Sequence, residues 1–276
     1  MSKNKICEIT QIEQVIKIRK ELTKSWFRGH PKTYNNLEPR IFRESYRNEF
    51  FLKLRPDYEM FIIERFKQVA PALNSNVPGK EDALEWLILM QHHGAPTRLL
   101  DWTENILVAL YFAVKCSPKD DGEIWALCPY ELNKLSDIPG MPLSKNPYLQ
   151  YFVKEPYYGE NAKSGLLKSL KLKNIPKYPL AFNPTLNFLR MVVQSSAFTI
   201  HPVPEKGNQI QDLLIGKKKL LARYIIPAEK KQALLENLNS LEIKHFRLFP
   251  NLDSLSQDII SELRIVAYSP PDPPEF

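Results

Sequence analysis

Apolar residues recur at helical spacing along the first part of the chain, and this pattern predicts several helices there. Thr10 and Glu13 form a capping-box pattern at the start of a first helix of about four turns. Two more helices are predicted over 44–70 and are divided at Pro56, because a proline fits the first turn of a helix and interrupts its interior. We therefore expect the first quarter of the chain to be mainly helical.

The next two predicted helices enclose the most unusual stretch of the sequence. An apolar stripe over 81–93 predicts a helix that stops at Gly94. Asp101 and Thr103 are both good N-cap residues, and the run from Ile106 to Val114 is apolar almost all round, which predicts a buried helix. The residues between these helices are expected to form a connection, and binding residues often cluster in connections.

Short apolar runs between turn signals predict strands in the rest of the chain. Strands are predicted at 25–27, 122–128, 197–201 and 220–226, a helix at 228–238, and an element of either kind at 186–193. Gly29 is expected to permit a turn after the first strand. Together these elements predict an α+β fold, in which N-terminal helices pack around a small mixed or antiparallel sheet.

A single domain is predicted over 1–268. Within it, residues 136–180 combine scattered prolines and lysines with no sustained periodicity, which indicates a long insertion or excursion. The last segment, 269–276, is rich in proline and predicts an extended tail.

The overall composition, 43% hydrophobic and 25% charged, is typical of a globular protein. No apolar run approaches the ~18 residues that cross a bilayer, and no signal-peptide pattern is present, so we expect a cytoplasmic protein without a membrane partner. The three cysteines show no CxxC spacing, and they predict neither a disulfide framework nor a metal site. The sequence leaves the oligomeric state open.

The positive charge is concentrated in one part of the chain. The formal net charge is +7, but residues 161–223 alone hold eleven Lys or Arg and two acidic residues. Tyr178, Phe182, Phe188 and Phe198 are interleaved with these charges, a combination that can bind nucleic acid. The same block could equally be a solubilising surface.

Residues 91–103, QHHGAPTRLLDWT, combine two histidines, an amide, an arginine, an aspartate and several donors around a glycine and a proline. Surface connections seldom need this mixture, which indicates a binding or catalytic site. The candidate catalytic residues are His92 and Asp101, and the candidate ligand-binding residues are Gln91, Thr97, Arg98, Trp102 and Thr103. A purely structural interpretation has Asp101 as a helix cap, Arg98 as its ion-pair partner, Trp102 in the core and the histidines satisfied at a helix end.

A second candidate segment is WFRGH, residues 26–30. Arg28 lies between a bulky aromatic residue and Gly29, an arrangement suited to holding a guanidinium against phosphate or ribose oxygens while the glycine lets a ligand approach. An arginine in such a position can also be a structural ion-pair partner.

The two segments together carry a family resemblance. The letters FRG, followed about sixty residues later by QHHGAPTRLLDWTENILVALYFAV, closely resemble the hallmark pattern of the FRG-domain family. The resemblance is strong over about 25–114, and RMVVQSSAFTIHP resembles a later element of that family. It implies a microbial protein of a kind often linked to phage defence, without an assigned activity.

A more distant resemblance is to ADP-ribosyltransferases, in which an aromatic-Arg-Gly strand precedes a hydroxyl-rich strand and an Ala-aromatic helix. Arg28 matches the arginine that contacts NAD, and Thr103 with ALYFA matches the second element. Gln194 stands where those enzymes usually have a catalytic Glu. This departure matters because an amide can orient a ribose hydroxyl but cannot stabilise an oxocarbenium-like centre as a carboxylate does.

The leading hypothesis is an NAD-binding, ADP-ribosyltransferase-like effector with NAD as substrate, in which Arg28 and Arg98 engage charged groups of the nucleotide. His92 or Asp101 would handle protons or orient the ribose, and Gln194 would complete the site. The alternatives are a nucleic-acid-binding or nucleic-acid-cleaving module that uses the basic block at 161–223, and a ligand sensor without catalysis.

Overall fold

The structure is a computed structural model, and it describes residues 7–34, 36–43, 58–138, 140–143, 145–155, 163–203, 209–214 and 220–268. The predicted helix before Pro56, and Pro56 itself, lie outside the described residues, as does the predicted tail at 269–276. The helices are α1 Ile12–Glu21, α2 Tyr58–Leu73, α3 Ala83–His92, α4 Ile106–Val114, α5 Pro129–Lys134, α6 Pro147–Lys154, α7 Lys163–Ser169, α8 Leu189–Val193, α9 Ile210–Leu214, α10 Lys231–Ser240, α11 His245–Leu248 and α12 Leu252–Tyr268.

Seven strands form one mainly antiparallel sheet. They are β1 Cys7–Glu8, β2 Trp26–His30, β3 Leu99–Thr103, β4 Gly122–Leu127, β5 Leu180–Phe182, β6 Ser196–Ile200 and β7 Leu221–Ile226. Their order is β1-β7-β4-β2-β3-β6-β5, and among these described strands only the pair β1 and β7 is parallel. The predicted α+β fold with a small mixed sheet is therefore confirmed.

Two groups of helices cover one face of the sheet. Phe27 on β2 packs with α4, and Leu99 on β3 packs with α3 and α6. Phe27 is the pairing partner of Thr103, and Thr103 lies on the same side of β3 as Leu99 because side chains alternate along a strand. The helices that pack with α4 and the helices that pack with α3 therefore lie side by side on this face. They meet over strands β2 and β3.

The apolar helix α4 lies at the centre of the protein, as its sequence predicts. Seven of its nine residues are buried, and Leu110 is completely inaccessible. Within the predicted excursion at 136–180, α6 and α7 also reach the core, where Leu149, Phe152 and Leu166 are buried beside α3.

Two predicted helix starts were wrong. The first helix is capped by Gln11 and Gln14 instead of Thr10 and Glu13, because the Gln14 side chain accepts hydrogen bonds from the main-chain N–H groups of residues 10 and 11. Asp101 caps no helix, since it lies within strand β3, and α4 is capped by Asn105, whose side chain accepts from the N–H of Leu107.

Gly29 was expected to permit a turn, but it lies within β2, where it pairs with Ile124. A Cβ atom at Gly29 would lie 1.8 Å from the carbonyl oxygen of Ala109 in α4. The glycine is therefore needed because α4 crosses β2 at main-chain contact distance.

Gly29→Ala is expected to lower the free energy of unfolding by about 1 to 3 kcal/mol, the usual cost of over-packing a core, because α4 must move away from the sheet. Urea unfolding of the variant measures this loss. Gly165→Ala is the matched control, because a Cβ atom at Gly165 in α7 meets no atom within 4 Å. Equal midpoints for the two variants would contradict the contact between α4 and β2.

Candidate functional site

The site lies where strands β2 and β3 separate. They pair at a single position, Phe27 with Thr103. Next to this pair, the side chain of Arg28 takes the place of main-chain hydrogen bonds between the two strands. Its Nη1 donates to the main-chain oxygen of Asp101 at 2.7 Å, and its Nε donates to Nε2 of His30 at 2.8 Å. The guanidinium of Arg28 is thus fixed in the gap between the two strands.

Two clefts adjoin this gap. One, the aromatic cleft, has a volume of about 220 Å³ and is lined by Phe27, Arg28, Gly29, Gln91, Asp101, Trp102, Thr103, Val108, Phe112, Arg190, Gln194 and Ser196. The other, the arginine cleft, has a volume of about 230 Å³ and is lined by Arg28, Arg40, Arg43, Gln91, Gly94, Ala95, Leu99, Leu100 and Asp101. Arg28, Gln91 and Asp101 belong to both linings, so the clefts adjoin along these three residues.

Gln91 positions the carboxylate that the two clefts share. Its Nε2 donates to Oδ2 of Asp101 at 2.8 Å, while its Oε1 accepts from the hydroxyl of Thr97 at 2.6 Å. The same Oδ2 lies 3.7 Å from Nη1 of Arg28, and the Asp101 side chain remains 53% exposed. The buried Thr97 therefore orients the Gln91 amide, and this amide orients the Asp101 carboxylate.

Thr103 and Gln194 meet at the far side of the aromatic cleft. The hydroxyl of Thr103 donates to the main-chain oxygen of Gln194 at 2.6 Å and accepts from the N–H of Asn105 at 3.0 Å. The Gln194 side chain donates through Nε2 to the oxygen of Leu248 at 3.0 Å. This bond fixes the amide beside the cleft, and among the described residues no hydrogen bond reaches its Oε1.

A buried chain of polar groups lies behind Arg28. Nδ1 of His30 lies 2.8 Å from Oε1 of Glu123, and the second carboxylate oxygen of Glu123 accepts from Nε and Nη2 of Arg223 at 2.7 and 2.6 Å. Glu123 is completely inaccessible. These hydrogen bonds therefore hold His30 in place, and His30 in turn holds the guanidinium of Arg28.

The sequence of these segments matches a known family model. The sequence model of the FRG domain matches residues 23–122. Over these residues the chain is similar to the FRG domain. The match includes β2, β3 and α4, whereas Gln194 and Arg190 lie beyond it. Searches of curated proteins and of solved structures gave no significant match.

The matched residues 23–122 thus contribute Arg28, Gly29, Gln91, Asp101, Trp102 and Thr103 to the aromatic cleft, and the later element contributes Gln194. Trp102 reaches the cleft from the core, since its ring is buried and its Nε1 donates to the hydroxyl of Thr199 at 3.0 Å. The core position of Trp102 agrees with the structural interpretation of that residue.

Arg98 does not reach either cleft. Its guanidinium, only 2% exposed, donates to both carboxylate oxygens of Glu59 and to Glu155 at 2.8 Å. Burial disfavours its charged form, but the two carboxylates outweigh burial and raise the pKa of Arg98. Arg98 is therefore an ion-pair residue as the structural interpretation held, although its partners are Glu59 and Glu155 and not Asp101.

His92 also lies outside the linings of both clefts. Its ring stacks on Phe188, with 4.2 Å between the ring centroids, and burial lowers its pKa.

Among the described residues, no group of three or more His, Cys, Asp or Glu side chains is arranged to hold a metal ion. In the same part of the chain, no helix is long and apolar enough to span a bilayer.

The sequence did not single out His30, Glu123, Arg190, Arg40 or Arg43. For His30 a signal existed, because a residue two positions after Arg28 on a strand lies on the same face. Arg190 lies in RMVVQSSAFTIHP, four residues before Gln194, which is one helical turn. The others follow only from the tertiary fold.

The buried His30 is uncharged at neutral pH. Burial lowers its pKa to about 4, and neutral His30 can donate through Nδ1 to Glu123 while its Nε2 accepts from Arg28. Burial would raise the pKa of Glu123, but the hydrogen bond from His30 and the charge of Arg223 lower it. Glu123 is therefore ionised, and the chain of hydrogen bonds is complete at pH 7.

The pKa of His30 predicts a loss of stability in acid. An unfolded histidine takes up a proton below its ordinary pKa of 6.5, whereas folded His30 does so only near pH 4, so the unfolded state binds more protons in this window. The free energy of unfolding is expected to fall as pH is lowered from about 6.5 to about 4. Urea midpoints measured across this range should show a shallower slope for His30→Gln, and an unchanged slope would contradict a neutral buried His30.

Proposed function

We propose that this FRG-domain protein binds NAD in the aromatic cleft and acts as an ADP-ribosyltransferase-like effector. The observation that carries the proposal is that Arg28, Thr103 and Gln194 all line this cleft. These are the residues that match the three successive sequence elements of ADP-ribosyltransferases, although they are spread over more than 160 positions of the chain.

The order of the strands supports the same assignment. Arg28 lies on β2, Thr103 ends β3, and Gln194 lies two residues before β6. These three strands are neighbours in the sheet. Three sequence elements that are far apart in the chain therefore supply groups to one place, as a shared ligand would require.

Arg28 has the chemistry to engage an anionic nucleotide. Burial lowers its pKa to about 10, so the guanidinium stays protonated at neutral pH. Its Nε and Nη1 are held by His30 and by the Asp101 main chain, and its Nη2 has no hydrogen-bond partner among the described residues. A fixed guanidinium with a remaining donor can bind a phosphate or ribose oxygen without first losing conformational entropy.

Asp101 is the one carboxylate among the described residues that line the two clefts, and it takes the electrostatic role that the Gln194 amide cannot fill. In the proposed reaction the bond between nicotinamide and ribose C1′ breaks, and nicotinamide leaves with the electron pair. An acceptor oxygen or nitrogen, or water, then forms the new bond to C1′ and loses its proton. The Asp101 carboxylate stabilises the positive charge that develops on the ribose, and Oε1 of Gln194 orients a ribose hydroxyl.

Incubation with NAD and a cellular lysate tests this function. The expected result is the release of nicotinamide, with or without transfer of the ADP-ribose group to an acceptor. Asp101→Asn should slow the release strongly, whereas Glu236→Gln, an exposed change on α10, should leave it unchanged. A wild-type protein that neither binds NAD nor releases nicotinamide would overturn the proposal.

Nucleic-acid binding is a second candidate, favoured by one observation. Lys168, Lys171, Lys173 and Lys177 are all exposed, and none forms an ion pair with a described residue. Lys217, Lys218 and Lys219, the densest part of the basic block, lie outside the described residues.

Charge reversal separates the two candidates. We expect Lys168→Glu with Lys171→Glu and Lys173→Glu to leave activity at the aromatic cleft unchanged, because these side chains line neither cleft. An activity assay and a thermal melt of the triple variant check this. Loss of activity with an intact fold, together with binding to oligonucleotides that weakens steeply with salt, would favour the nucleic-acid module.

A further inference from the structure

The arginine cleft brings three guanidinium groups to one small volume. Arg28, Arg40 and Arg43 all line it, and Asp101 is the one carboxylate among the described residues of its lining. Arg40 begins and Arg43 follows a short 3₁₀ turn whose intervening residues, Ile41 and Phe42, are buried. Residues three apart in such a turn lie on the same side, so the core fixes both arginines next to the cleft.

Each of the three arginines is held by a main-chain carbonyl. Nη1 of Arg28 donates to the oxygen of Asp101 at 2.7 Å, Nη1 of Arg40 donates to the oxygen of Gly94 at 2.8 Å, and Nε of Arg43 donates to the oxygen of Glu38 at 3.0 Å. A neutral carbonyl orients a guanidinium without neutralising its charge. These bonds hold the three guanidinium groups in fixed positions, and the described lining contains three arginines and one carboxylate.

The charges of these arginines act on one another. Burial lowers the pKa of Arg43, the charge of Glu38 opposes this shift, and the neighbouring charge of Arg40 adds to it. Burial likewise lowers the pKa of Arg28, and the charge of Arg43 also lowers it. Arg40 is exposed, whereas Arg28 and Arg43 are partly buried, and like charges that are partly removed from water are unfavourable neighbours unless an anion joins them.

Unused donors remain at the same place. Nη2 of Arg28, and both Nη atoms of Arg43, have no hydrogen-bond partner among the described residues. Paired N–H groups of a guanidinium match the spacing of phosphate oxygens, and two such groups beside one another suit a ligand with adjacent phosphates.

We propose that the arginine cleft is a diphosphate-binding subsite, in which Arg40 and Arg43 act with Arg28. Because the two clefts share Arg28, Gln91 and Asp101, one nucleotide can place its ribose and ring in the aromatic cleft and its diphosphate between the arginines. The inference rests on the proposed function for the identity of the whole ligand. The assignment of a diphosphate rests on the arginine cleft alone.

Calorimetric titration of the full chain with inorganic pyrophosphate tests the subsite without NAD. We expect pyrophosphate to bind more tightly than phosphate, and Arg43→Gln or Arg40→Gln to weaken it about tenfold or more, since each removes a charge-assisted contact. Arg65→Gln, an exposed arginine on α2, is the matched control and should change nothing. Arg43→Lys retains the charge, and it should recover only part of the affinity.

The outcomes distinguish this inference from the proposed function. Pyrophosphate binding that depends on Arg43, in a protein that does not bind NAD, supports the subsite and refutes the NAD assignment. NAD binding that is equally strong in Arg43→Gln overturns the subsite and leaves the NAD assignment standing. The subsite is also overturned if wild type does not bind pyrophosphate, if Arg65→Gln weakens binding as much as Arg43→Gln, or if a single-stranded oligonucleotide displaces pyrophosphate at lower concentration than NAD does.

Discussion

Arg98→Ala is expected to lower the free energy of unfolding by about 3 to 5 kcal/mol, the usual cost of removing one member of a buried charged pair. Arg98 on β3 joins Glu59 on α2 to Glu155 at the end of α6. Without the guanidinium, both carboxylates lose the donor that compensates their removal from water. The two uncompensated carboxylates then weaken the packing of two helices against the sheet.

Urea unfolding at pH 7 measures this loss. Arg65→Ala, on the exposed side of the same helix as Glu59, is the control and should leave the midpoint within experimental error. A midpoint close to that of the control would mean that Arg98 is available for a ligand.

Arg28→Ala is expected to reduce turnover at the aromatic cleft by about 10² to 10³-fold, the effect of removing a fixed donor from a charge-stabilising site. The protein should stay folded, because the partners that Arg28 leaves are neutral His30 and a main-chain carbonyl. Arg28→Lys should recover little, since an ammonium lacks the planar fork that contacts His30, Asp101 and a ligand at once.

Thermal melts of Arg28→Ala and Arg28→Lys beside the nicotinamide assay separate a ligand role from a structural one. A melt close to wild type with lost turnover supports the site. A melt lowered as far as that of Arg98→Ala, or full turnover in Arg28→Ala, would show that Arg28 is part of the scaffold.

The periodicity of the sequence predicts much of the fold. The buried helix α4, the helix that ends before Gly94 and the strands β4, β6 and β7 all follow from local patterns. Residues 99–103 do not, because their strand is defined by pairing with β6, almost a hundred positions away. In isolation, Asp101 and Thr103 are good helix caps, and only the sheet shows that they are not.

The prediction of the candidate site residues is limited in the same way, because some of their roles depend on distant parts of the chain. The composition of 91–103 indicates a site, and the structure brings Gln91, Asp101 and Thr103 to the cleft with Arg28. The sequence could not separate Arg28 from Arg98, because the difference depends on Glu59 and Glu155, which are distant in the chain. The position of Gly29 was recognised as special, but its cause is the crossing of α4, a feature of packing.

Calorimetric titration of NAD into wild type and Arg28→Lys tests the central claim most directly, namely that the cleft at Arg28 holds this nucleotide. The predicted result is saturable binding of one NAD per chain in wild type, with affinity about tenfold or more lower in Arg28→Lys, where the charge is kept and the fork is lost. The absence of binding to wild type, or equal affinity in the two proteins, would contradict it.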